Sequence, residues 1–337
     1  VIPWFRTDDV ATAPFSMSPN LSEMTIAPPY TPAREIVSAG ALKGSVHTLV
    51  MHSTESKFYP GVKRKPPNVA ADFWIEDLRF RGLGLTPEMW ISAPAEKTGF
   101  PRSLAILPEL RVPGVQPYQR DVVVYVPVGL NSSQPAPFIV VNDGPMFVQL
   151  MIPMLDTLVE EGRIPAMVAL FVASGGDDAQ GSQRGVEYDP VNGDFADFIE
   201  FEVVPKVAPL LFQKHGISLT EKPDGRAVLG ASSGGIAAFS MAWHRPELFR
   251  RVLAYSPSVI NQQYPVNSTF PLGGWEYHSG KQLIMNSERK PLRIVIFNME
   301  FDLGFSLGED TFRNFRMANL RMADALRQMG YEYRHVF

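Results

Sequence analysis

One segment of the sequence concentrates residues able to do covalent chemistry: Arg226-Ala-Val-Leu-Gly-Ala-Ser-Ser-Gly-Gly-Ile236. It holds Gly-x-Ser-x-Gly as Gly230, Ser232 and Gly234, behind a strand-like run and ahead of helix-like residues. A tight strand-to-helix turn lifts such a serine hydroxyl off the sheet edge, and small neighbours let the two chains pass without clash. The turn also aims the Ser233 N–H and the positive end of the helix at one point, where charge growing on a carbonyl oxygen is stabilised. The same residues also suit a Gly-rich turn closing a βα unit, with serines as helix caps. The flanks, and the additional Gly235, favour the nucleophile.

The elements that must position this turn are readable as short runs of Val, Ile, Leu and Phe. Residues 45–51, 121–126, 138–141, 167–173, 226–229, 251–254, 292–297 and 331–337 fit strands, most of them buried on both faces. Between them, residues 147–161 carry apolar side chains at intervals of three and four, predicting a helix. Residues 195–212 are also helical in pattern, with Pro205 and Pro209 expected to kink or divide them. Helices are further predicted over 234–243 and 312–329, the latter stopped by Gly330, and a short one over 70–81. Strands alternating with helices imply βαβ units and an α/β fold: a mostly parallel sheet covered by helices on both faces.

The remaining composition narrows the chemistry. Of 337 residues, none is cysteine, which removes disulfides, thiolate metal sites and a thiol nucleophile together. A net charge of −4 offers no basic face, so no nucleic-acid partner is expected. No run approaches the roughly 20 apolar residues of a membrane helix, so a soluble chain is expected. Residues 1–44, rich in Pro, Ser and Thr, read as an extended arm ahead of one large domain over 45–337. The sequence begins at Val1, not Met, which fits a processed secreted, periplasmic or organellar chain without naming a compartment.

Several segments, in order, resemble a known family: the putative esterases related to enterochelin esterase, within the α/β-hydrolases. Ser56-Lys-Phe-Tyr-Pro-Gly61 resembles its opening Ser-Lys-x-x-Pro-Gly, and Arg120-Asp-Val-Val-Val-Tyr-Val-Pro127 its next strand. Asn142-Asp143-Gly144 looks like its Gln-Asp-Gly turn, and Arg184-Gly-Val-Glu-Tyr-Asp189 like its Arg-x-x-Glu-Tyr-Asp loop. The elbow, Ala242-Trp-His-Arg-Pro246 and residues 314–331 complete the likeness. The resemblance implies an α/β-hydrolase fold and Ser–Asp–His cleavage of a small ester or lactone through an acyl-enzyme, with no metal or organic cofactor. It places the acid at Asp302, in Met299-Glu-Phe-Asp-Leu303, where the family has Gly-x-x-Asp-Leu; Glu300 is the fallback. The second oxyanion donor is expected from the loop after residues 138–141, at Gly144 or Met146 because Pro145 has no N–H. Asp143 is expected to form the turn. Arg184 and Glu187 are expected on a loop at the functional edge, either lining the substrate pocket or forming a surface ion pair.

Two departures from the family pattern shape the alternatives. In the family the general base follows the last strand in a Gly-x-His turn, and no histidine of this chain occupies that place, so the base is expected beyond Phe337. Residues 62–119 form an insertion with Trp74 and Trp90, of a size that suits a lid or a docking surface. The insertion and the N-terminal arm are therefore candidate contacts for a protein partner. A catalytically silent hydrolase-fold subunit with an assembly role is the second reading.

Overall fold

A computed structural model describes residues 5–6, 23–29, 31–32, 43–61, 117–175, 183–263, 267–308 and 311–337. The predicted helix over 70–81, nearly all of the 62–119 insertion and most of the N-terminal arm lie outside them.

The described residues form a nine-stranded sheet. Its strands are β1 (Glu23–Met24), β2 (Ser45–His52), β3 (Gln119–Val126), β4 (Phe138–Asn142), β5 (Val168–Val172), β6 (Arg226–Ala231), β7 (Arg251–Tyr255), β8 (Arg293–Phe297) and β9 (Glu332–Val336). They are ordered β1-β9-β8-β7-β6-β4-β5-β3-β2 across the sheet. Only β2–β3 and β3–β5 pair antiparallel; every other neighbour is parallel. Parallel neighbours need crossover helices that cover both faces, which is why β4 and β5 are buried along their whole length.

Those helices are α1 (Val148–Glu160), α2 (Gln183–Tyr188), α3 (Asp194–Phe198), α4 (Val204–His215), α5 (Ser233–His244) and α6 (Phe315–Gln328). Alternate strand residues feed two cores. Tyr125, Ile139, Val141, Ala169 and Phe171 pack under α1 through Met151, Ile152 and Leu155. Val122, Val124, Val140, Leu170 and Val228 face the opposite way, toward α3 to α6. Each such fully buried aliphatic chain contributes about 1.5–3 kcal/mol over an exposed one.

Three expectations change. The prolines do not divide residues 195–212: α3 runs into α4 through a π turn, Ile199–Val203, in which the Val204 N–H reaches the Ile199 carbonyl. The wide turn places Pro205 in the first turn of α4, where a missing N–H costs little. Arg184 and Glu187 stand on a helix, α2, not on a loop. The edge strand β1 was not foreseen; its two residues carry no period to read.

Candidate active site

Ser232 links β6 to α5 with φ 54° and ψ −124°, a backbone region that side chains other than glycine rarely adopt. The glycines around it are sterically required. A Cβ on Gly230 would stand 2.1 Å from the Gly234 carbonyl oxygen, and one on Gly235 would stand 3.0 Å from Pro257 Cα. Hydrogen bonds fix the turn to the loop after β7: the Ser232 N–H donates to Tyr255 O (2.9 Å), and the Ser258 N–H donates to Ser232 O (3.1 Å). The half-buried Ser232 hydroxyl lies 3.3 Å from the Ser258 hydroxyl. This is the geometry the spacing of Gly230, Ser232 and Gly234 predicts.

Asp302 follows β8 and is 4% exposed, whereas the fallback Glu300 is exposed on the surface. The Ser256 hydroxyl donates to Asp302 Oδ2 at 2.5 Å, and the Leu303 N–H donates to Oδ1 at 2.8 Å. Because β6, β7 and β8 are neighbours, Ser232 and Asp302 follow strands two spacings, or roughly 10 Å, apart and lie toward the same end of the sheet. Met299, where the family pattern has glycine, is turned outward and 43% exposed.

On the other side of the elbow, Asp143 adopts the left-handed conformation (φ 53°) and caps a short 3₁₀ turn, Gly144–Phe147. Its N–H takes the Tyr188 hydroxyl as acceptor at 3.0 Å, and the Met146 N–H is spent on Asp143 O at 3.2 Å. Of the two donors offered by sequence, Met146 is thus committed and Gly144 remains. Gly144 is pressed against the sheet, where a Cβ would meet the Phe171 backbone at 2.2 Å.

Arg184 and Glu187 part company, although one turn of α2 separates them. Arg184 clamps Asp143 through two bonds, Nε–Oδ1 2.9 Å and Nη2–Oδ2 2.8 Å, beside the elbow. Asp143 Oδ2 would be 2.9 Å from a Cβ on Gly234, so this ion pair touches the turn that carries Ser232. Glu187 is 3% exposed and faces inward. Its oxygens accept from Arg120 Nη1 (2.8 Å) and Nη2 (2.6 Å), Gln183 (2.9 Å), the Tyr118 hydroxyl (2.8 Å) and the Gly175 N–H (3.1 Å). A carboxylate so fully engaged anchors β3 to α2 and does not line an open pocket.

All six histidines fall within the described residues, and their bonds lead away from Ser232 and Asp302. His47 and His215 pair with each other, and His52 approaches Gln119. His244 meets the Tyr277 hydroxyl, and burial pushes its pKa down to about 4. His278 meets Val259 O, with burial again lowering its pKa to about 4. His335, inside β9, is bonded to Asn298 Oδ1.

A buried network that the sequence did not reveal lies directly behind the elbow. Asp189 accepts from Gln262 Nε2 at 2.8 Å, and the same nitrogen donates to Ser233 Oγ at 2.9 Å. Ser256 and Ser258 were likewise missed: the residues after β7 carry no motif, and only the sheet order brings them to Ser232 and Asp302. Beside Asp302, a cavity of about 410 Å³ is lined by Ile26, Pro28, Phe297, Met299, Phe301 and Phe337 among others. Among the described residues, no helix is long and apolar enough to cross a membrane.

Sheet order, strained elbow serine and buried acid at one sheet edge define an α/β-hydrolase. The chain belongs to the family described as "Putative esterase", whose model matches residues 117–291. Among solved structures, the enterobactin esterase of Shigella flexneri, determined in the presence of enterobactin, is 22% identical with a TM-score of 0.48. That match covers 65% of this chain and 49% of the other, so the chain spans about half the length of that relative. The ferulic acid esterase of the fungus Anaeromyces mucronatus is 16% identical, covering 65% of this chain and 76% of the other, with a TM-score of 0.41. No curated protein matches the chain.

Proposed function

We propose that this chain is a serine hydrolase that cleaves a small carboxylic ester or lactone through an acyl-enzyme. The observation that carries the reading is the backbone of Ser232, held in a conformation a plain turn has no reason to keep. In this reading the Ser232 hydroxyl attacks the carbonyl carbon, its proton passes to an imidazole, and the alkoxide leaves with that proton. Water then repeats the attack on the acyl-serine and frees the acid. The N–H groups of Ser233 and Gly144 hold the tetrahedral oxyanion.

Asp302 fits the acid because it is buried, positioned by Ser256 and at the right sheet edge. Its role is to orient the imidazole and stabilise its charged form. In this reading the imidazole is none of the six histidines as they stand, since their hydrogen bonds are made to other groups. Arg184 lines the approach through its pair with Asp143, and the mainly apolar cavity beside Asp302 suits the acyl or leaving group.

The engagement of every histidine elsewhere favours one competing reading, a hydrolase fold kept as an assembly subunit, with the 62–119 insertion or the N-terminal arm as its contact. A fluorophosphonate probe separates the two. Labelling of the full-length protein that disappears in Ser232→Ala supports the hydrolase. Absence of labelling in the wild type, with the fold intact, supports the subunit.

A further inference from the structure

Three buried side chains from three separate elements meet one residue behind the nucleophile. Asp189 directly follows α2 and is 1% exposed; Gln262, from the loop after β7, is 4% exposed; Ser233 opens α5 and is 2% exposed. The Gln262 amide spends both hydrogens here, one on Asp189 Oδ1 and one on Ser233 Oγ. The second oxygen of Asp189 is buried with no close hydrogen bond, although the Ser233 hydroxyl also acts on the carboxylate. A carboxylate kept in such a place at a cost in solvation needs a reason.

We propose that Asp189 is a positioning residue for the oxyanion hole: acting through Gln262 and the Ser233 hydroxyl, it fixes the first turn of α5 so that the Ser233 N–H stays aimed at the reacting carbonyl oxygen. The proposal rests on the reading of Ser232 as nucleophile. Its physical basis is direction. A carboxylate only accepts hydrogen bonds, so it holds the Gln262 amide in one orientation, and that amide in turn holds Ser233. A protonated or amide side chain at 189 brings a donor of its own into a site already supplied with donors, and the arrangement loses its unique solution.

The charged groups facing Asp189 are few. Burial raises its pKa to about 6. The Gln262 amide, Arg184 on α2 and the Ser233 hydroxyl act to lower it, and Asp143 from the loop after β4 acts to raise it. The clamp is therefore made above about pH 6 and released below it.

The test compares full-length wild type with Asp189→Asn, by rates of fluorophosphonate labelling and of p-nitrophenyl acetate hydrolysis between pH 5 and 9. The ratio of the two profiles cancels any ionisation they share, a histidine base included. Removing one oxyanion donor outright costs about 10²–10³ in turnover, so loosening one is expected to cost about tenfold. The ratio should be about ten at pH 8, carried by kcat and not KM, and should fall toward one below pH 5. A ratio that is flat with pH, or equal to one at pH 8, overturns the proposal.

A second readout needs no activity. The N–H groups of Gly235 and Ile236 bond to Ser232 O at 2.9 and 3.1 Å, so their hydrogen exchange reports the rigidity of the turn. Exchange at least tenfold faster in Asp189→Asn at pH 8 is expected; unchanged exchange refutes the clamp. If wild type reacts with neither probe, the hydrolase reading falls and exchange alone decides the role of Asp189. Should Asp189→Asn fail to fold, Ser233→Ala removes the hydroxyl through which the clamp acts and must give the same pH-dependent loss.

Discussion

The strain at Ser232 can be measured without any substrate, by comparing Ser232→Gly with Ser232→Ala. Both variants lose the hydroxyl, so they differ only in the Cβ. At φ 54° and ψ −124° that Cβ is the source of the strain, which for a non-glycine residue costs about 1–3 kcal/mol. Glycine relieves it, and gives back about 0.5–1 kcal/mol through the greater freedom of the unfolded chain. The glycine variant should therefore be more stable than the alanine variant by about 0.5–2 kcal/mol. For a chain of this length, with an unfolding entropy near 2.1 cal/mol/K per residue, that is a rise of about 1–3 °C in Tm. Urea unfolding followed by tryptophan fluorescence, with calorimetry beside it, resolves the difference. In ordinary backbone the order reverses, with alanine ahead by about 0.5–1 kcal/mol. Glycine falling below alanine would show that the serine is not held in the strained turn, and the nucleophile assignment would go with it.

Other consequences are more direct. Gly230→Ala forces a methyl group to within 2.1 Å of a backbone oxygen, and should cost at least about 3 kcal/mol in chemical unfolding, or prevent folding. Glu187→Gln leaves the buried Arg120 guanidinium without its charge partner, which should cost about 3–5 kcal/mol in the same assay. Asp189→Asn should do the opposite at neutral pH. The carboxyl pKa is raised in the folded state, to about 6 from 3.8, so this group's contribution to stability is fully present below about pH 4 and is lost as pH rises through 6. The asparagine variant does not share that decline. It should gain up to about 3 kcal/mol over wild type at pH 7, and nothing at pH 3.5. A variant that is less stable at pH 7 would mean the carboxylate is not penalised by its burial.

What the sequence made legible follows from physics that is local. Runs such as Phe-Ile-Val-Val at 138–141 are too short and too uniformly apolar for an exposed helix, and they proved to be the buried central strands. The tight turn at Ser232 was legible because three glycines within six residues answer a steric demand, visible in the contacts at Gly230 and Gly235. The α2 helix was not, since six residues containing Gly185 hold too few turns to show a period. That cost the roles of its charged residues. Arg184 and Glu187 look alike in sequence, yet one reaches Asp143 beside the elbow and the other is sealed against Arg120, a difference set by partners 41 and 67 residues away. The Asp189 network was beyond reach for the same reason: Gln262 and Ser233 meet it only because β6 and β7 are neighbours in the sheet.

The seam between β1 and β9 bears on how the molecule is made. Ile26 and Met24 bond to both sides of Phe337, and the Glu23 carboxylate accepts from the Tyr333 hydroxyl 310 positions away. Residues 23–26 must wait, undocked, for a strand translated some 310 positions later, and closing so long a loop is slow. Until they dock, the outer rim of β9 is a bare row of amides and carbonyls inviting a neighbouring molecule to add a strand. Refolding yield should consequently fall as protein concentration rises, and fall further when residues 23–26 are deleted.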